Sequence, residues 1–324
     1  MKIIMAPKNN IALSVVITLV LGFNVGLFID TTSLTQFIIP ITMLMVFPSM
    51  IGFRLNEVLN LNNKLLLVAS LVMNFVIIPI SAFFIGSIFL FNHPELFAGL
   101  AVLAILPTSN MAIVYTLIAG GDVTTTIKIM VFSIILGAIL APWYLLVMVG
   151  NHVLIDTFAI LKTIGLVILI PLILGLITYH ILLKKFTEQY FEERIKPIFP
   201  AISAWGMVYI IFSSISLNSH TLINQPSILI LAFFVQVFFY TMNYLISMII
   251  GKLYFKRKEA IAFVFSTAHR NLAIAIGLAT TIFGTNAAIM VAVAILVQSQ
   301  FGAGFIKFLD IKEKPQFLFK PWSK

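Results

Sequence analysis

Residues 262–279 read AFVFSTAHRNLAIAIGLA, two apolar flanks around the polar centre Ser266-Thr267-Ala268-His269-Arg270-Asn271. The flanks suit the interior of a bilayer, where a central arginine costs roughly 2.5 to 3.5 kcal/mol on insertion scales. Arg270 lies about ten residues from either end of the stretch, too deep for its stem to carry the charge to the interface. It therefore faces a cavity that holds an anionic group, or it caps the carbonyls of a broken helix.

A second stretch is interrupted in the same manner. Residues 101–122 read AVLAILPTSNMAIVYTLIAGGD, with Pro107-Thr108-Ser109-Asn110 near the middle. Pro107 has no backbone N–H to donate and disfavours helix at the residue before it. A kinked helix packed on its neighbours, with Ser and Thr satisfying the freed carbonyls, is one outcome. The other is non-helical backbone lining a watery cavity, since irregular backbone at membrane depth survives only inside protein or beside water. Where two such broken helices meet, their inner N-termini hold anions and their inner C-termini hold cations.

The surrounding chain of 324 residues is 61% apolar and 10% charged, with a mean hydropathy of +1.11. A soluble chain carries about a quarter charged residues, so soluble enzymes and nucleic-acid-binding domains are excluded. The partner implied is the lipid bilayer, and no nucleic acid. Ten apolar runs have the length of about 20 residues needed to cross hydrocarbon: 11–29, 35–53, 64–91, 96–119, 124–149, 157–183, 199–217, 226–251, 259–283 and 285–309.

Lys and Arg number 20 against 11 Asp and Glu, a net charge of +9. Assigning the connections alternately to two sides collects Lys2, Lys8, Arg54, Lys64, Lys184, Lys185, Arg194, Lys196, Lys252, Lys256, Arg257, Lys258 and the C-terminal lysines on one side. The opposite connections, around Asp30, His93, Asp156, His220 and Thr285, hold no Lys or Arg. By the positive-inside rule both termini are cytoplasmic, in a multi-pass cell-membrane protein.

Ten spans divide as five plus five, and an odd number per half turns the second half upside down relative to the first. The halves are 1–150 and 151–310, and the tail over 311–324, which interleaves Lys with Phe and Trp, reads as a cytoplasmic interfacial segment. Traces of duplication survive in corresponding spans. MNFVIIPIS with Asn74 in span three matches MNYLIS with Asn243 in span eight, and NMAIV from Asn110 in span four matches NLAIA from Asn271 in span nine. The fold class expected is an all-α membrane protein of two inverted five-helix repeats, with spans four and nine interrupted and crossing.

All 11 carboxylates lie in loops or at span edges, so no acid is available to pair with Arg270 in the interior. A bound anion is the most economical counter-charge. The candidate substrate-binding residues are Arg270, His269, Asn271, Asn110, Ser109 and Thr108. Zero cysteines exclude disulfides, thiolate metal sites and cysteine nucleophiles. Of the five histidines only His269 lies mid-span, so no catalytic pair or metal-ligand set is in view, and an intramembrane enzyme is not expected.

The chain resembles the bile acid:sodium symporter family within the bile/arsenite/riboflavin transporter superfamily. The resemblance covers nearly its whole length. It rests on the order of FPSMIGFRLNEVL closing span two, NFVIIP in span three, the proline-led break followed by AGGD, and RNLAIAI in span nine. It implies a panel domain of spans one, two, six and seven beside a core domain in which the broken helices cross, with substrate between the two. The ion-binding positions it implies are Ser266, Thr267, Asn74 and Thr126.

The departures matter as much. Ser266 stands where sodium-coupled members place a glutamate, Arg270 stands in place of a glutamine, and Asn74 replaces a span-three glutamine. Lys128 lies within a turn of Thr126. Losing a carboxylate and gaining a cation argues against sodium as the coupled ion. In the arsenite branch a cysteine falls near the position of Thr108, so thiolate capture of arsenite is excluded here. The resulting expectation is a monomeric secondary transporter of a small organic anion working by alternating access, with no cofactor; a sodium ion is the one candidate, and the lost carboxylate argues against it. The alternatives are a sodium-coupled symporter of a bile-acid-like or other organic solute and an anion channel or uniporter.

Overall fold

A computed structural model describes residues 11–51, 63–150, 158, 162–163 and 165–313. Among these residues the backbone is almost entirely helical, and the sole β-type pairing is an isolated antiparallel bridge between Pro107 and Arg270. The helices are α1 (Ile11–Phe28), α2 (Ile38–Met50), α3 (Lys64–Phe89), α4 (Pro94–Ile105), α5 (Asn110–Ile118), α6 (Val123–Val149), α7 (Ile170–Lys185), α8 (Phe199–Leu217), α9 (Ser227–Tyr254), α10 (Arg257–Ala268), α11 (Leu272–Phe283) and α12 (Thr285–Glu313).

Among the described residues, five segments are by themselves long and apolar enough to cross a membrane: Lys64–Phe89, Val123–Val149, Glu188–Leu217, Ser227–Tyr254 and Thr285–Leu309. At 1.5 Å per residue their 25 to 30 residues rise about 38 to 45 Å, more than the ~30 Å of hydrocarbon. Shorter apolar helices cover Leu13–Phe28, Thr32–Pro48, Pro94–Ile105 and Leu272–Phe283. The protein is an integral, multi-pass membrane protein. The stretch expected as span four divides into α4 and α5, and that expected as span nine divides into α10 and α11. The last helix continues to Glu313, so residues 311–313 are helical, and the tail from 314 lies outside the described residues, as do Arg54, Glu57, His152 and Asp156.

Two groups of helices form. α8 packs along α1 and α2, and α7 packs on α2; α3 to α6 and α9 to α12 make the second group. The groups meet where α11 lies against α2 and where α8 lies against α11 and α12. The second group is centred on α4, α10, α11 and the first half of α12. α4 buries every residue from Leu96 to Ile105, and α10 every residue from Ala260 to Ala268. A helix apolar on all sides belongs at a centre. By contrast Leu13, Val16, Ile17, Val20 and Leu21 on α1, and Phe233, Phe234 and Phe238 on α9, are exposed. Such continuous apolar faces suit lipid rather than water.

Small residues set the closest approaches. A Cβ on Gly99 of α4 would stand 2.3 Å from the Ala287 carbonyl oxygen of α12, and one on Gly277 of α11 would stand 2.2 Å from Thr42 Cγ2 of α2. These helices pack at backbone distance, which suits association where no hydrophobic drive separates helix from lipid. In α3, Pro79 cannot donate to the Phe75 carbonyl one turn back. Two local features answer this: a π-helical turn over Met73–Ile77, and the Tyr144 hydroxyl of α6, which donates to Phe75 O in place of the missing N–H. The widened turn carries Asn74.

Candidate functional site

α4 stops at Ile105 because Pro107 follows, and α10 stops at Ala268 because His269 is extended, with φ −80° and ψ 133°. Each break leaves unpaired peptide groups, and each supplies the other's partners. Thr108 N donates to His269 O at 2.9 Å, and Asn271 N donates to Leu106 O at 2.9 Å. This short antiparallel ladder lets non-helical backbone exist inside the bundle. Thr108 has φ +53°, a conformation that a β-branched residue adopts only under constraint. Its hydroxyl donates to Ser266 O at 2.6 Å, so Thr108 ties one break to the other by both backbone and side chain.

On one side of this crossing the carbonyl ends of α4 and α10 converge. The Arg270 side chain, fully buried, turns to them: Nη1 donates to Ala104 O at 3.2 Å, and Nη2 donates to Asn74 Oδ1 at 2.6 Å and to Thr267 O. Asn74 Nδ2 in turn donates to Ser266 O at 3.3 Å and to Ser133 Oγ of α6 at 3.4 Å. The last carbonyls of both half-helices thus find side-chain donors. Each helix C-terminus carries about −0.5 of a charge, so the pair offsets roughly one positive charge.

Gln298 of α12 holds the crossing itself and also lines the cavity on its other side. Its Oε1 accepts from Arg270 N at 2.7 Å and from the Tyr240 hydroxyl at 2.8 Å, and its Nε2 donates to Arg270 O at 3.3 Å. Sequence reasoning passed over Gln298, although the amides that end the apolar run AILVQSQ are the kind of signal that could have marked it.

On the other side lie the inner N-termini, with Ser109 in the N-cap position of α5 and Asn271 in that of α11. A cavity of about 160 Å³ opens there toward α8, lined by Ser109, His269, Arg270, Asn271, Gln298 and Ser203 among others, so that Arg270 and Gln298 border both sides. Asn271 Oδ1 accepts from Ile274 N at 3.2 Å, whereas Ser109 caps nothing and its hydroxyl has no partner. His269 packs against Tyr115, with ring centres 4.8 Å apart; its Nδ1 meets the Tyr244 hydroxyl at 3.1 Å and its Nε2 has no partner.

Of the other residues singled out by sequence, Thr267 bonds through its hydroxyl to Phe263 O at 2.7 Å and to Ser247 Oγ at 2.8 Å. Ser266 contributes its carbonyl, while its own hydroxyl has no partner. Asn110 opens α5, and its side chain lies outside the described residues. Thr126 is not at the crossing: its hydroxyl bonds Thr116 Oγ1 at 3.2 Å and Asp122 O at 3.1 Å, seven residues or about 10 Å of rise from Ser133. Asn243 is buried on the stripe of α9 that also carries Tyr240 and Ser247, and neither atom of its amide has a partner.

A family model, the Sodium Bile acid symporter family, matches residues 39–225, more than half of the chain. The chain belongs to the sodium bile acid symporter family. Members of this family are membrane transporters and not enzymes. The matched stretch includes Asn74 and the first break, and Arg270 lies beyond it. The chain is 24% identical over 250 residues to the uncharacterized protein YbaS of Bacillus subtilis strain 168, covering 76% of this chain and 79% of that one. It is 25% identical over 260 residues to the arsenical-resistance protein Acr3 of Corynebacterium glutamicum, covering 76% and 70%. It is also 23% identical over 189 residues to the probable sodium/metabolite cotransporter BASS1, chloroplastic, of Arabidopsis thaliana, covering 57% of this chain and 45% of that protein.

Proposed function

We propose that this family member is a secondary active transporter of a small organic anion, a monomer of ten spans in two inverted halves, with both termini in the cytoplasm. The observation that carries this is the cavity at the inner N-termini of α5 and α11, where Ser109 and His269 hold unpartnered polar atoms. Helix N-termini carry about half a positive charge each, so the two attract one negative charge. The buried Arg270 turns to carbonyl and amide oxygens, where the charge of the two helix C-termini offsets its own, so the pull on an anion comes from the N-termini. The wall opposite is α8, from the first group of helices, with Ser203 and Met207. A solute held between the two groups is exposed to one side and then the other as they rock, which is alternating access.

The test is thermal unfolding of the full chain in detergent against a panel of small carboxylates and sulfonates, with neutral and cationic analogues as controls. Ligands that bind the folded state raise the midpoint by mass action. Stabilisation by anions and not by their neutral or cationic analogues is expected; stabilisation by cations alone overturns the proposal. Counterflow of the stabilising solute in proteoliposomes then saturates for a carrier and does not for a channel. Topology is read separately by single cysteines: replacements of Lys8, Tyr190, Phe255 and Gln316 label from the cytoplasm, and those of Thr32, His152 and His220 from outside. Any one on the wrong side breaks the ten-span arrangement.

A further inference from the structure

The carbonyl side of the crossing has the composition of a cation cage. Ala104 O from the end of α4, Thr267 O from the end of α10 and the amide oxygen of Asn74 from the π-helical turn of α3 converge on one point from three elements distant in sequence. The Ser266 carbonyl is drawn to the same cluster through Asn74 Nδ2 and Thr108 Oγ1. Neutral oxygens at the inner C-termini of broken membrane helices are the ligand set that holds alkali cations. What stands among these oxygens is the guanidinium of Arg270, planar and always charged, donating to three of them.

We infer that the Arg270 guanidinium is a tethered cation standing in the place of a dissociable one, so that the crossing assembles without a metal ion and the protein is independent of the sodium gradient. Three features support this. The guanidinium reaches back from one break to the other and to α3, spanning the elements that a bound ion would have to join. The charge of two helix C-termini, about −1 in total, matches one monovalent cation. Finally, Arg270 Nε has no partner, so the fork is fitted to the surrounding oxygens through its terminal nitrogens alone. An ordinary structural fastener shares these hydrogen bonds but leaves no cation-selective vacancy when removed. The inference concerns the carbonyl side and not the transported solute, so its test stands apart from that of the anion proposal.

The experiment measures thermal unfolding of the full chain in detergent, in sodium chloride and in choline chloride at equal ionic strength, with a third arm of choline chloride plus low millimolar guanidinium chloride. The wild type is expected to unfold at the same temperature in all three. Arg270→Ala is expected to unfold several degrees lower in choline and to recover saturably with sodium or guanidinium, by mass action. Arg270→Gln, which keeps an amide near the carbonyls but no charge, is expected to show the same cation dependence, and Arg270→Lys to remain insensitive. Saturable stabilisation of the wild type by sodium overturns the inference. So do Arg270→Ala and Arg270→Gln midpoints that are equal in every salt. Neutral variants that fold in no salt, beside an Arg270→Lys that folds, overturn it as well, since a free cation then fails to replace the tethered one.

Discussion

On one side of the crossing Ala104 O, Thr267 O and Asn74 Oδ1 close around a guanidinium; on the other, Ser109 Oγ and His269 Nε2 have no partner and a cavity begins. Both sides are made by the same two breaks, and both begin with the same deficit of unpaired peptide groups. The carbonyl side is answered from within the chain, by Arg270, Thr108, Asn74 and the amide of Asn271. The N-terminal side is answered only in part, by Asn271 over Ile274 N. A saturated side holds the two half-helices in register, and an unsaturated side is left for a ligand. The comparison predicts that substitutions on the carbonyl side act on stability, those confined to the cavity side act on solute binding, and those at Gln298, which borders both, act on stability first.

The largest effect is expected at Gln298. Replacing it with Leu leaves the buried Arg270 N–H without its acceptor and the Tyr240 hydroxyl without its partner, at a cost of about 2 kcal/mol. Denaturation in detergent should show this as a lowered midpoint, with reduced transport following from the disturbed crossing. An unchanged midpoint would mean that α12 does not hold the break.

Ser109→Ala should do the reverse. The hydroxyl bonds nothing, so the midpoint should stay where it is, while affinity for the stabilising anion should fall by roughly threefold to tenfold, the worth of about one hydrogen bond. If instead the midpoint drops and affinity holds, the two sides of the crossing do not divide labour as described.

Thr108 lies between them. Thr108→Ala removes the hydroxyl bond to Ser266 O and keeps a side chain at φ +53°, whereas Thr108→Gly also releases a left-handed backbone worth about 1 kcal/mol. The glycine variant is therefore expected to be the more stable of the two by about that amount. Equal stabilities would indicate that the ladder to His269 O, rather than the φ angle, carries the constraint.

Which parts were readable in advance follows from how local each signal is. Pro107 and the run from Ser266 to Asn271 disturb apolar helices at their own positions, so both breaks could be placed from sequence alone. The direction of Arg270 could not. Its side chain can face the cavity or the carbonyls from the same backbone, and the choice depends on Asn74, brought in by a π-helical turn that Pro79 helps to create. Gln298 was visible as an amide in an apolar helix, but its bond to Arg270 spans 28 residues and exists only once α12 packs against α4, α9 and α11. Thr126, which family resemblance puts among ion ligands, bonds instead to Thr116 and Asp122 at the start of α6, a placement that alignment does not convey.

That residue also yields the smallest expected effect, and it bounds the comparison from outside. Thr126 sits in the first turn of α6, with its hydroxyl between Thr116 Oγ1 and Asp122 O. Thr126→Val keeps the shape and removes the hydroxyl. Asp122 O still accepts from Thr126 N at 3.1 Å, and the Asp122 side chain still caps Thr125 N, so the start of α6 retains its main hydrogen bonds. A stability loss of about 0.5 kcal/mol is expected, with no change in anion affinity and no response to sodium. Measured in the same salt series as the Arg270 variants, a sodium-dependent midpoint in Thr126→Val would place a cation near α6, and both sides of the crossing would then have to be read again with a second charge about two turns away.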